Sequence, residues 1–265
     1  AIRIEATNAT IVLQAAANPQ LEGTANDLTA ALTDIKYSGA ITVSEALNNT
    51  TLAGVLALTT GKVTADVSGT AATLVEALEA ETTVNALTVT VGAGAVDASD
   101  LKILDAKTSV TVDASLVKAI TGTAAELKAV LAAKTITLDT TAVAVIVDGK
   151  VSAADLNTIA KATGGVVTAE VEGSAAALNA ALKAVNTTDD TVTATLTGTT
   201  ATAKDLIELA DKVTLVTTSI KTITGTLAEI TAVTVTVTTI VAADVAVTIT
   251  GTLVLANLVD LNAIA

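Results

Sequence analysis

The side chains able to do chemistry in this 265-residue chain are carboxylates, lysines and hydroxyls, and few of them stand in suggestive groupings. Asp97/Asp100 and Asp189/Asp190 are spaced as a general acid and base could be. Asp148-Gly149 followed by Asp155, in VDGKVSAADLNTIA (147–160), has the acidic and glycine positions of the second half of a calcium loop. The two ligand positions that should precede it are Ile146 and Ala144, so turn plus helix cap is the expected reading. About one residue in five is threonine. Thr-x-Thr recurs at Thr88/Thr90, Thr135/Thr137, Thr193/Thr195/Thr197, Thr234/Thr236/Thr238 and Thr248/Thr250. Such pairs could order water on a flat face if consecutive strands carried them in one place, but stretches such as VVTAEVE interrupt them. Sequons at Asn8, Asn48, Asn49 and Asn186 carry little weight in a chain so rich in threonine.

What is missing narrows the field further. There is no His or Cys, hence no Ser-His or Cys-His nucleophile pair, no imidazole or thiolate metal site and no disulfide. Arg3 is the one arginine, which leaves no bidentate guanidinium clamp in the body of the chain. The acidic pairs therefore read as solvated turn residues, and no catalytic, cofactor-binding or metal-ligating residue is assigned. A net charge of −13 repels nucleic acid and anionic lipid and favours cationic partners. No apolar run reaches the roughly 18 to 20 residues of a membrane helix, and strand alternation is too broken for a membrane barrel, so the chain is expected to be soluble.

The elements that must position these residues come in a tandem array. Candidate helix caps stand at Thr24, Ser44, Thr70, Asp97, Thr123, Ser152, Ser174, Thr202, Thr226 and Thr252, about every 26 residues, with alternate caps from Ser44 onward about 50 to 55 apart. Two kinds of unit alternate, one entered by Gly-Thr or Gly-Ser (Gly69, Gly122, Gly173, Gly225) and one by D/S/T-A-x-D-L. Five slots have the S/T-x-x-D/E capping box: Thr24/Asp27, Thr123/Glu126, Ser152/Asp155, Thr202/Asp205 and Thr226/Glu229. Four residues past the cap stands Leu28, Leu74, Leu101, Leu127, Leu156, Leu178, Leu206 or Ile230, and aliphatic or small pairs follow at seven and eight, which makes one apolar stripe. The Ser44 and Thr252 units depart from this pattern. Between helices lie Val/Ile/Thr alternations, among them 86–91, 109–114, 134–139, 142–148, 166–172, 191–197, 221–225, 232–238 and 245–251, which predict half-buried strands. Gly164-Gly165 predicts a helix stop and turn.

These features predict an α/β repeat solenoid of about ten coils of roughly 26 residues. Each coil is a short helix plus one or two strands, and the strands form parallel sheets. Tyr37 is the one aromatic, so the core must be thin and built from many small layers. Ten coils at roughly 4.8 Å give a rod of roughly 50 Å. The period runs through residues 1–265 with no linker, which predicts a single continuous solenoid. The opening AIRIEATN and the apolar LANLVDLNAIA at the other end lead us to expect a processed chain or an excerpt of a longer array.

VSAADLNTIAKATGGVVTAEVEGSAAALNAAL and DASLVKAITGTAAELKAVL resemble the Thr/Ala-rich tandem repeats of giant cell-surface proteins of marine cyanobacteria and some other bacteria. The resemblance covers most of the chain. It implies a non-enzymatic, extracellular or surface-attached stalk, filament, adhesin or surface-layer element, whose partners are other copies or further repeats, end-to-end or laterally. It also implies an association with calcium, although the glycine/aspartate nonapeptides that bind it in related exported proteins are absent, and no cofactor is expected. The alternative is a binding module whose Thr-rich face contacts ice, glycan or a neighbouring protein. A polysaccharide-active β-helix enzyme ranks last, for want of arginine, histidine and aromatic subsites.

Overall fold

A computed structural model describes residues 2–3, 19–35, 37–182, 190–217, 219–236 and 245–251. Two compact units are present, one of residues 1–122 and 129–139, the other of 123–128 and 140–265. The first contains β1 (Ile2–Arg3), β2 (Leu21–Gly23), α1 (Ala25–Leu32), β3 (Ile41–Val43), α2 (Asn49–Leu56), β4 (Val63–Gly69) and α3 (Ala71–Leu78). It continues through β5 (Ala86–Val91), β6 (Gly94–Asp97), α4 (Ala98–Lys107), β7 (Val112–Ala114) and β8 (Val117–Gly122). The residues of α5 (Ala124–Ala132) are divided between the units, and β9 (Ile136–Leu138) belongs to the first. The second contains β10 (Ala144–Val151), α6 (Ala153–Ala162), β11 (Val167–Gly173), α7 (Ala175–Ala181), β12 (Thr191–Leu196) and β13 (Thr200–Thr202). It ends with α8 (Ala203–Ala210), β14 (Thr214–Thr217), β15 (Thr222–Gly225), α9 (Leu227–Thr236) and β16 (Ala246–Ile249).

The chain is α/β, with parallel sheets. In the first unit β1-β2-β3-β4-β5-β7-β9 pair in chain order, each strand against the equivalent strand of the next repeat, while β6 pairs with β8. In the second, β10-β11-β12-β14 form one run and β13-β15-β16 another. Whether a repeat holds one strand or two has two answers: β4 and β11 run unbroken into their helices, whereas β5/β6, β7/β8, β12/β13 and β14/β15 are split by a corner.

Burial follows the apolar stripe. Leu28, Leu74, Leu101, Leu127, Leu156 and Leu206, all four residues past a cap, are fully buried, as is Ile230, and Leu178 is nearly so. Strand residues alternate, with Val63, Ala65 and Val67 inward and Thr64, Asp66 and Ser68 outward. A helix of seven to ten residues is marginal alone, so each depends on burying its stripe, and α1–α4 and α6–α9 pack helix to helix in chain order.

Three expectations are corrected. The cap of the second helix is Asn48, not Ser44: Asn48 Oδ1 accepts from Thr51 N at 3.0 Å and Thr51 Oγ1 from Asn48 N at 3.0 Å. Ser44 lies in an irregular stretch after β3, so the apparent register was four residues early. Residues 232–236, within the strand expected over 232–238, belong to α9. Leu227, Ile230 and Val233 recur every three residues and are buried together, and that burial outweighs the weak helix propensity of Val and Thr. Thr231 and Thr234 donate back to the carbonyls of Leu227 and Thr231.

The capping acids, finally, work in two ways. Glu126 and Glu229 reach back to the cap N–H of Thr123 and Thr226, at 3.0 and 2.8 Å. Asp27, Asp155 and Asp205, one methylene shorter, accept instead from the cap hydroxyl of Thr24, Ser152 and Thr202, at 2.9, 2.9 and 2.7 Å. The expected unit at Thr252 lies outside the described residues.

Candidate functional sites

Of the carboxylates singled out by spacing, Asp97 and Asp155 serve helix starts and Asp190 bonds to the preceding repeat. Asp97 caps α4, accepting from Ser99 N at 2.7 Å, and Asp100 follows in the first turn. Partial burial, then the charge of Asp97, raises the Asp100 carboxyl above its ordinary range. That polarity suits an acid/base pair, yet neither residue lines the concavity of about 310 Å³ at Thr202 and Glu229 or that of about 240 Å³ at Gly149 and Glu170. Asp190 accepts from Val167 N at 2.8 Å, and Asp189 lies outside the described residues.

Asp148 and Gly149 sit in an irregularity of β10, where the pairing register with β11 shifts between Ile146 and Lys150 and Gly149 takes φ 69°. Asp155 is paired with Lys128 and Ser152, which hold its carboxyl below the usual range, Lys128 contributing most. Among the described residues no three His, Cys, Asp or Glu side chains converge where a metal ion could be held.

Among the described residues, outward threonines do not stack into long arrays. On the first unit the cross-strand rungs read Glu22-Thr42-Thr64-Ala86, Asp66-Thr88 and Ser68-Thr90-Asp113-Thr137. On the second they read Thr168-Thr191, Glu170-Thr193-Thr214 and Glu172-Thr195-Val216, with Lys150 beside Glu170 and ion-paired to Glu172. Thr202-Thr224-Thr248 is a run of three, and Thr202 in it is also the α8 cap. One concavity of about 310 Å³ lies here, lined by Thr202, Lys204, Thr224, Gly225, Glu229 and Thr250. The Glu229 carboxylate in it is held below its usual range by the N–H and then the hydroxyl of Thr226, so it is occupied by its own cap. The sequon residues Asn48 and Asn49 are the cap and first residue of α2, and Asn8 and Asn186 lie outside the described residues.

Sequence reasoning missed a set of polar residues where each helix gives way to the next strand. Asn85, fully buried, accepts from Val63 N at 2.8 Å and donates to Thr83 O at 3.2 Å. Thr108 Oγ1 accepts from Leu87 N at 3.0 Å and donates to Leu87 O at 2.7 Å. Thr59 donates to Gly39 O at 2.7 Å, and Thr163 donates to Thr140 O and Val143 O, both at 3.2 Å. Each stitches its own repeat to the preceding one where a strand begins and the ladder is incomplete. Their signal in the sequence is a polar residue shortly before each Val/Leu strand start, as in TTGKV and NAL. Gly165, expected as a turn residue, is also a close approach: a Cβ there would collide with Val143 O.

On the helix faces of the second unit, Lys128 reaches Asp155 on the next helix, Asn157 donates to Ala181 O, and Asn179 donates to Glu208 at 2.7 Å. Thr59, Asn85, Thr108 and Thr163 at the strand starts, with Lys128, Asn157 and Asn179 on the helices, thus hold repeat to repeat. No protein-family model, curated protein or solved structure matches this chain.

Proposed function

We propose that the chain is a non-enzymatic structural repeat region of a large extracellular or cell-surface protein, a stalk, filament, adhesin or surface-layer element. In this reading its ten repeats form one solenoid, and its partners are further repeats or copies of itself. The observation that carries it is where the polar side chains go: carboxylates cap helices, and Asn85, Thr108, Thr163 and Asp190 bond to the preceding repeat. A chain built so that each repeat completes its neighbour gains stability by extension rather than by a central core. The acid-interrupted threonine rungs give the ice-binding alternative no support.

Antibody against the purified chain should label intact cells of the organism that makes it, and external protease should remove the label. Signal appearing only after lysis refutes the surface assignment. Stepwise removal of terminal repeats should lower the denaturation midpoint in graded steps. An abrupt loss of all structure at the first removal refutes the solenoid.

A further inference from the structure

We infer that the chain contains a tandem duplication of one four-repeat module of about 104 residues, and that this module, rather than the 26-residue repeat, is its unit of construction. The module runs from β3 through α5 and recurs from β10 through α9. It goes beyond the functional reading and does not depend on it.

The correspondence is positional and physical. Ile41 pairs with Val63 as Val145 pairs with Val167, and Thr42 with Thr64 as Ile146 with Thr168. Leu47 bridges Val67 as Val151 pairs with Val171, so both copies carry the same irregularity between the two contacts. That irregularity is why Ser44 is no cap: its counterpart is Asp148, and the true caps Asn48 and Ser152 match.

The stitches repeat as well. Thr59 donates to Gly39 O, and Gly61 N donates to Thr59; Thr163 donates to Val143 O, and Gly165 N donates to Thr163. In both copies the glycine is the position where a Cβ would strike that same carbonyl. Val63 N is received by Asn85 and Val167 N by Asp190, each at 2.8 Å. Gly92 N donates to Gly69 O, and Thr197 N to Gly173 O, at the corners between β5 and β6 and between β12 and β13.

Every pair up to the α3 and α7 caps stands 104 residues apart, apart from Asn85/Asp190 and Gly92/Thr197 beyond them, at 105. After α4 and α8, which differ by two residues in length, the separation becomes 103, as in Gly122/Gly225 and Glu126/Glu229. The strand program is also the same: an unbroken strand (β4, β11) followed by two split ones. Residues 63–78 match 167–182 at 10 of 16 positions, but match 116–131, the cap-aligned segment two repeats on, at six.

The two periods predict different exchanges in the full-length chain. On the module reading, residues 63–78 can be replaced by the sequence of 167–182, because every inward slot receives an apolar residue of its own kind. Replacement by the sequence of 116–131 puts the lysine of position 118 into the buried slot of Ala65. We expect the first chimera to keep the parent's cooperative melting transition and its slow amide exchange at Val63, Ala65 and Val67, and the second to lose that protection. Equal protection in both chimeras, or its loss in the first, overturns the module.

Discussion

Asn85→Ala is the sharpest test of how the repeats are joined. The Asn85 side chain is fully buried, its Oδ1 receives Val63 N at 2.8 Å, and its Nδ2 donates to Thr83 O at 3.2 Å. Truncation leaves the Val63 N–H, at the first position of β4, buried with no acceptor, a loss of about 1–3 kcal/mol. The Thr83 bond adds about 0.5–1.5 kcal/mol, and truncating a fully buried side chain leaves a void besides. The expected total is about 2–4 kcal/mol. Denaturant unfolding monitored by circular dichroism gives the sum, and amide exchange read residue by residue locates it: protection should fall most at Val63 and at its sheet neighbours Thr64 and Ala65. An unfolding free energy within about 0.5 kcal/mol of the parent, the usual span of surface substitutions, together with unchanged Val63 protection, would refute the stitching argument.

Other substitutions separate close approach from conformational freedom. Gly165→Ala should destabilise by about 1–3 kcal/mol or more, because its Cβ meets Val143 O, whereas Gly54→Ala, in a helix with open space around it, should stabilise by about 0.5–1 kcal/mol in thermal melts. Leu156→Ala should cost about 2–5 kcal/mol in the same assay, as a fully buried leucine four residues past its cap. The depressed carboxyls of Asp155 and Glu229 contribute stability that is complete above their unfolded pKa values of about 4 and is lost as pH falls through their folded values. The denaturation midpoint should therefore drop on acidification below about pH 5, and Lys128→Met should remove the larger part of the Asp155 share, Ser152 keeping the rest. Asp100 is shifted the other way, so its contribution is present at low pH and is lost as pH rises through its folded value; Asp100→Asn should raise the midpoint at neutral pH and leave it unchanged in acid.

Much of this architecture is legible in the residue order because its causes are local. A Thr or Ser whose oxygen takes the third helical N–H, and a leucine four positions on, are fixed by helix geometry within a few residues. Eight of the nine expected caps that fall among the described residues, all but Ser44, are caps in the structure. The same locality misled at 232–236, where Thr/Val alternation is strand-like by itself and only the shared burial of Leu227, Ile230 and Val233 makes it helical. It misled at Ser44, where a serine followed by small residues cannot be told from a cap without knowing that the ladder with β4 is interrupted there.

The candidate sites were legible chiefly as exclusions. Composition removed His and Cys chemistry outright, since a missing side chain is missing in any fold, and left Arg3 as the one arginine. What became of the remaining carboxylates and hydroxyls was decided by the tertiary structure. The donor that Asp190 accepts from lies 23 residues back, that of Asn85 22, and Lys128 meets Asp155 on the following helix. Hydrophobic period and cap chemistry act over one turn or one strand and so are written along the chain; hydrogen-bond completion acts across the ladder, and only the register of one repeat on the next determines which polar residue is buried, which glycine must have no side chain, and that the pattern returns after 104 residues.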